Sequence, residues 1–229
     1  MSPQTDPVTE GKTMIEQEIL DFLSHAETGA LTDAMKLLHL DGWMDDILPL
    51  PEDARICGRA FTVQYERLPG PGIKALNVFE IMEQAEKGSV MVCSVPSRYA
   101  IVGENIMHAT QANSLAGMVL DGKARDSGVI RRDRLPLFCK GPAIRLETDC
   151  KITAIQVPVF CGGILVNPGD YIVGDCDGVI ALRPDSIEAL IYQTQHVAQV
   201  EAELEQTIQS GQGMRAVAAV SAKKKQLHP

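Results

Sequence analysis

The chain predicts a mixed α/β or α+β sandwich built as one domain with terminal extensions. Helical patterns stand at the start, strands and helices mix in the middle, and the second half is rich in short apolar runs closed by glycine turns. A regular dinucleotide-binding alternation is not expected, because no GxGxxG follows a strand and no GxxxxGK[ST] occurs.

The elements follow in order. Residues 1–14 read as a flexible lead, and no basic region followed by an apolar stretch suggests a signal peptide. Ile15, Ile19, Leu20, Phe22 and Leu23 mark one face of a first helix, with acids at its start. Thr32 or Asp33 can cap a second short helix. After the proline-rich LPLPEDA comes a strand, ICGRAFTVQY, in which Phe61, Val63 and Tyr65 alternate with polar neighbours. LPGPGIK must be a loop, and 77–85 reads as a helix with Val78, Ile81 and Met82 inward.

VMVCSV is a strand, 106–115 a helix and AGMVLDG another strand. Further strands are expected at LFCKG, KITAIQV, ILV, YIVGD and VIAL, punctuated by the turns NPGD and CDG. Continuous apolar runs of this kind indicate strands buried on both faces. A long helix spans 186–210, with Ser186 as N-cap, Asp185 and Glu188 near its positive end and Gly211 as its stop. Residues 212–229 read as a tail that contains the solvated run Lys223-Lys224-Lys225.

Composition narrows the function classes. A net charge of −9 argues against a polyanion partner, and 4% aromatic residues offer no base-stacking surface, so no nucleic acid is expected. No apolar run reaches the length of a membrane span. Cys57, Cys93, Cys139, Cys150, Cys161 and Cys176 form no CxxC and lie mostly in apolar strands. They read as reduced, buried residues of a cytoplasmic protein.

The most informative stretch is GENIMHATQANSLAGMVLDGKARD, from Gly103 to Asp126. Arg125 and Asp126 follow a strand and its turn, the kind of position where α/β proteins collect ligands. Asp126 could bind a hard divalent cation, and Arg125 could hold a carboxylate with its planar fork. A surface ion pair or a turn cap would explain the same two residues. Glu104 opens a helix whose first amides, those of Asn105 and Ile106, could cradle an anion. Its plainer role is a carboxylate favoured by the helix dipole. His108, one turn on, reads as a surface or satisfied core histidine. Asp121, Asp170, Asp175 and Asp177 read as turn acids bonded to their own backbone. Glu201, Glu203 and Glu205 read as a solvated face of the last helix.

Several stretches together resemble a known family. They are TDA at 32–34, GRAFTV at 58–63, LAGMVLDGKARD at 115–126, LPLFCKG at 135–141 and PVFCGGILVNPGDYIVGDCDGVIALRP at 158–184. They resemble the RraA-like family, which includes metal-dependent 4-hydroxy-4-methyl-2-oxoglutarate and 4-carboxy-4-hydroxy-2-oxoadipate aldolases and protein regulators of ribonuclease E activity. The resemblance covers 15–211. It implies a single-domain α/β protein, a β/β/α (αββα) sandwich with helical N- and C-terminal segments. It also implies a homotrimer or a dimer of trimers (a homohexamer), with active sites between subunits.

The family's aldolases carry an acid, twenty intervening residues and then Arg-Asp. Glu104 and Arg125-Asp126 reproduce that spacing here, with Glu in place of the family's Asp. By this resemblance Asp126 would be the direct ligand of a divalent metal, Mg²⁺ or alternatively Mn²⁺. Glu104 would hold the metal directly or through water, and Arg125 would bind the pyruvyl end and position a catalytic water. Gly103, Asn105 and Ile106 would bind the substrate carboxylate at the helix start. Glu201 of a neighbouring subunit would complete the metal site.

The implied function is a lyase cleaving a 4-hydroxy-2-oxo acid to pyruvate and a second oxo acid, with oxaloacetate decarboxylation open to the same site. A Schiff-base route through Lys123 is not required. The alternatives are a non-catalytic regulator of ribonuclease E-type RNA degradation, or a lyase or hydrolase on an uncommon substrate. Arg98 and Tyr99 could reach the pocket mouth and select a second carboxylate or an aromatic group.

Overall fold

The structure, a computed structural model, describes residues 14–70 and 74–224. Its elements run α1 (Glu16–His25), α2 (Thr28–Leu37), β1 (Leu48–Pro49), β2 (Ile56–Arg67), α3 (Val78–Met82), β3 (Val90–Ser94) and β4 (Ala100–Val102). Then come α4 (Glu104–Ala112), β5 (Gly117–Asp121), β6 (Lys123–Ala124), α5 (Ser127–Arg132), β7 (Leu137–Cys139), β8 (Cys150–Ile155), β9 (Val159–Cys161) and β10 (Ile164–Val166). The chain continues through β11 (Tyr171–Asp175), β12 (Gly178–Leu182), α6 (Ile187–Gln209) and α7 (Met214–Lys223).

One large sheet runs β1-β7-β5-β3-β2-β11-β12, with β8 also paired to β2. Strands β2, β3, β5 and β7 are mutually parallel, while β1, β8, β11 and β12 join antiparallel. The twelve residues of β2 allow this mixture, because its first part pairs β11 and its last part pairs β8.

Side-chain alternation sorts the core into layers. From β3 and β5, Met91, Cys93, Met118 and Leu120 point to the side covered by α3, α4 and α5. Their neighbours Val90, Val92 and Val119 point to the opposite side, with Ile172 of β11 and Val179 of β12. The other faces of β11 and β12 carry Tyr171, Val173 and Ile180 under α1, α2 and α6. Strands β3 and β5 are thus buried on both sides, as their unbroken apolar runs predict. The expected α/β sandwich with helical ends is the observed fold.

Three local expectations need correction. Thr32 and Asp33 do not cap α2 but lie inside it; the N-cap is Glu27, and the Thr32 hydroxyl donates back to the Gly29 carbonyl at 2.9 Å. Ser186 does stand at the N-cap position of α6, but its side chain makes no capping bond, the hydroxyl donating to the Arg183 carbonyl instead. The segment 212–229, read as a tail, contains α7, whose Val220 is buried and which packs along α6. Its Lys223 pairs with Glu203, and Lys224 pairs with Glu201 and Asp33. Of the lead expected at 1–14, residues 1–13 lie outside the described residues, as do 71–73 of the LPGPGIK loop and Lys225.

The six cysteines are free, and all but the half-buried Cys57 and the exposed Cys176 are buried. Burial pushes the Cys93 thiol up to about 12, which leaves it an inert core residue. Among the described residues no helix is long and apolar enough to cross a membrane.

Candidate active site

Two short parallel strands bring the ends of the Gly103–Asp126 stretch together. Strand β4 pairs with β6, Ala100 opposite Lys123 and Val102 opposite Ala124. The Arg125 amide then donates to the Val102 carbonyl at 2.9 Å. As a result α4 and α5 begin side by side, Gly103 and Asp126 being their N-caps.

Asp126 occupies the left-handed region (φ 58°, ψ 31°), which Asp tolerates better than most residues but still at a cost. Its carboxylate does not cap its own helix. It turns toward α4, where Oδ2 accepts the Glu104 amide at 3.3 Å and lies 3.4 Å from Arg125 Nε. Both contacts are long, so the carboxylate keeps lone pairs for another partner. Gly103 makes the approach possible, since a Cβ there would stand 2.5 Å from Asp126 Oδ2.

The first amides of α4 have no acceptor within their own helix. With Gly103 carrying no side chain to cap them, those of Asn105 and Ile106 remain available to an anion. Glu104 is half-buried at the same helix start, and its charge acts on Arg132 of α5.

Arg125, Asp126 and Ser127 form one side of a cleft of about 590 Å³, and Pro142, Ala143 and Ile144 form the other. The side chains of Arg125 and Asp126 are 45% and 37% exposed, accessible to a ligand yet anchored at the backbone. The cleft itself presents one carboxylate, that of Asp126; with Glu104 at the adjoining helix start as a second oxygen donor and water or substrate oxygens in the remaining positions, the donor set would suit a hard divalent cation such as Mg²⁺.

Elsewhere among the described residues, Asp175, Cys176 and Asp177 bring three donor atoms together. Asp175 is already committed to the fold. Burial pushes its carboxyl up, but the Thr28 amide and hydroxyl (both 2.7 Å) and the Asp177 amide outweigh this and hold it below the usual carboxylate value.

The family described as RraA-like, Aldolase/RraA, matches residues 28–181. The chain belongs to the RraA-like family. It is 32% identical over 171 residues to a Halalkalibacterium halodurans protein named "Putative 4-hydroxy-4-methyl-2-oxoglutarate aldolase", covering 73% of this chain and 79% of that one. A solved structure of an uncharacterized protein from Pseudomonas syringae pv. tomato is 30% identical, with a TM-score of 0.79, covering 90% of this chain and 100% of that one. The structure of Streptomyces coelicolor RraAS2, described as an unusual member of the RNase ES inhibitor RraA protein family, shares the fold. Its TM-score is 0.73 at 21% identity, covering 83% of this chain and 97% of that one.

Within this RraA-like chain the structure brings together Gly103, Glu104, Asn105, Ile106, Arg125 and Asp126, the residues expected at both ends of the stretch. Glu201 is not among them. It lies on α6 in a groove between α1 and α2, paired with Lys224 at 2.7 Å. His108 stands 3.4 Å from Asp133, which Arg132 also holds. Asp121 is engaged by Lys140 and by the Gly162 amide rather than by its own turn, while Asp170 does accept its local Asn167 amide. Pro142, Ala143 and Ile144 were missed. A signal existed: β7 is parallel to β5, so the loops after both strands emerge at the same end of the sheet.

Proposed function

We propose that this site is that of a divalent-metal-dependent lyase, cleaving a 4-hydroxy-2-oxo acid to pyruvate and a second oxo acid. The observation that carries the reading is that Arg125 and Asp126 line one open cleft while the Asp126 carboxylate reaches the first amide of α4. The name of the Halalkalibacterium halodurans relative agrees with it.

Asp126 and Glu104 would hold the cation, which when bound supplies a Lewis acid for the 2-oxo group. Arg125 holds the adjacent carboxylate bidentately, and the free amides of Asn105 and Ile106 add donors to it. The bond between C3 and C4 breaks as the 4-hydroxyl loses its proton and C4 becomes a carbonyl. The electron pair left on C3 is delocalised onto the 2-oxo oxygen, where the Arg125 guanidinium stabilises the charge. Glu104, acting through a water, takes the 4-hydroxyl proton, and proton return to C3 completes pyruvate. Loss of CO₂ from oxaloacetate leaves the same electron pair on C3, so the site would support that decarboxylation too.

The cleft is open on one side, and Ile144 at its edge is 97% exposed. Closure by a neighbouring subunit in a trimer or a dimer of trimers would bury Ile144. It would also give Glu201 a role, provided that Lys224 releases it. Arg125→Ala and Asp126→Ala should each remove metal-dependent pyruvate release while leaving the far-ultraviolet circular dichroism unchanged. Either variant working at the wild-type rate would sink the proposal.

A further inference from the structure

A groove of about 890 Å³ between α1, α2 and α6 is larger than the candidate active cleft. Half-buried Phe22, Ala26 and Ala30, with Ala198 of α6 opposite, give it an apolar lining. Its rim is acidic, since Asp21, Glu27, Asp33 and Glu201 all border it. Arg55 pairs with Glu27 at 3.1 Å, and Lys224 lies 3.0 Å from Asp33 and 2.7 Å from Glu201. Among the described residues the Asp21 carboxylate accepts only the Gln17 side-chain amide, at 2.7 Å. Four carboxylates against two permanent cations leave the groove negative.

Helix α7 directs the chain into this groove. It follows α6 after a turn containing Gly211 and Gly213 and packs back along it. Its side chains meet those of α6 in reverse order, Lys223 on Glu203 and then Lys224 on Glu201. The two helices are therefore antiparallel, and beyond Lys224 the chain heads from Glu201 toward Ala198 and Thr194, which line the groove. The seven-residue step from Glu201 to Thr194 covers about 10 Å of α6. The five residues after Lys224 reach about 16 Å when extended, enough to follow the groove along its length.

Those residues, Lys225-Gln226-Leu227-His228-Pro229, also have the chemistry the groove asks for. Lys225 brings a further cation to the acidic rim, and Leu227 brings an apolar side chain to a floor of alanines beside Phe22. Pro229 disfavours the helical conformation at His228, which suits an extended path. Residues 1–13 suit the groove less well. They carry Asp6 and Glu10 against the single Lys12. They also join the described chain at the opposite end of α6, where the Met14 amide donates to Glu188 at 2.9 Å.

We propose that residues 225–229 dock in the groove of their own chain, Leu227 against Phe22, Ala26 and Ala30, and Lys225 beside the acidic rim. Docked there, the segment keeps Lys224 on Glu201. The docking is independent of the lyase reading.

The test is photo-cross-linking of the full chain with Leu227 replaced by p-benzoylphenylalanine. Irradiation should give an intrachain product that runs as a monomer under denaturing conditions, with the link mapped by mass spectrometry to residues 22–30. Asp21→Lys, a change on the exposed rim, should lower the yield about threefold. Ending the chain after Lys224 should speed amide exchange across 22–33 about threefold, and this comparison decides alone if the bulky group at 227 impairs folding. Links confined to the immediate neighbours of Lys224, an undiminished yield in Asp21→Lys, or unchanged exchange in the shortened chain would overturn the proposal. So would a product of dimer size, which would place the segment in the groove of a second copy.

Discussion

Replacing Gly103 by alanine tests the closest approach in the candidate site. The backbone there is extended (φ −139°, ψ −173°), so alanine introduces no conformational strain and any effect must come from contact. The new Cβ would lie 2.5 Å from Asp126 Oδ2, 3.3 Å from Arg125 Cγ and 3.4 Å from Arg125 Nε. Opening the first contact to an ordinary separation of about 3.5 Å moves the carboxylate by roughly 1 Å. Asp126 is partly exposed and can swing outward, which keeps overpacking near its lower limit of about 1 kcal/mol. Losing the Glu104 amide contact adds at most about 1 kcal/mol.

A total of about 1–2 kcal/mol lowers the melting temperature of a chain this size by about 2–8 °C. A shift of roughly 1 Å in a reacting group lowers turnover on the order of 100-fold. The assay pairs thermal unfolding with pyruvate release coupled to lactate dehydrogenase. Gly128→Ala is the control, since nothing stands within 4 Å of a Cβ there. It should melt no lower than wild type and turn over at the wild-type rate. Turnover of Gly103→Ala within about threefold of wild type would refute the reasoning. A stability loss above about 4 kcal/mol would show that the clash reaches past the Asp126 side chain.

Other perturbations separate function from scaffold. Arg125→Lys keeps the charge but loses the fork, and should lower kcat/KM by about 10–100-fold in the same coupled assay. Asp175→Asn should destabilise the fold by about 1–3 kcal/mol at pH 7 in urea unfolding, because the Thr28 and Asp177 donors lose their anion. The folded pKa of Asp175 lies below the unfolded value of about 3.9. Wild type therefore holds this stabilisation above about pH 4 and loses it as pH falls through the folded pKa, so wild type and variant should converge in acid. Deleting 212–229 removes the buried Val220 and the exposed pairs of Lys223 and Lys224. Calorimetry should show a loss of about 2 kcal/mol, most of it from Val220 because exposed pairs contribute little.

Much of the fold was legible because the central strands carry their burial in composition. VMVCS and GMVLD are apolar at every position but the last, or the first and last, and only a strand covered on both sides needs that pattern. The spacing from Glu104 to Arg125-Asp126 was legible for a related reason, since a helix and a strand of ordinary length fill it. The pairing that closes the site was not. Strands β4 and β6 have three and two residues, too few for a periodic signal, and their register is set by tertiary contacts. Thr32-Asp33 misled because capping residues also occur inside helices, where Thr32 bonds a preceding carbonyl. Helix α7 was hidden by Gly211 and Gly213, which end α6 and introduce a turn before a second helical run. Nothing in a single sequence marks the left-handed conformation of Asp126, which turns its carboxylate toward α4.

The most direct test of the account is pyruvate release from 4-hydroxy-4-methyl-2-oxoglutarate by wild type and by Asp126→Ala, each with Mg²⁺ and with excess EDTA. The account predicts turnover only for wild type with Mg²⁺. Undiminished turnover in EDTA, or in Asp126→Ala, would contradict it, as would a metal-loaded wild type that releases no pyruvate from this substrate or any other 4-hydroxy-2-oxo acid.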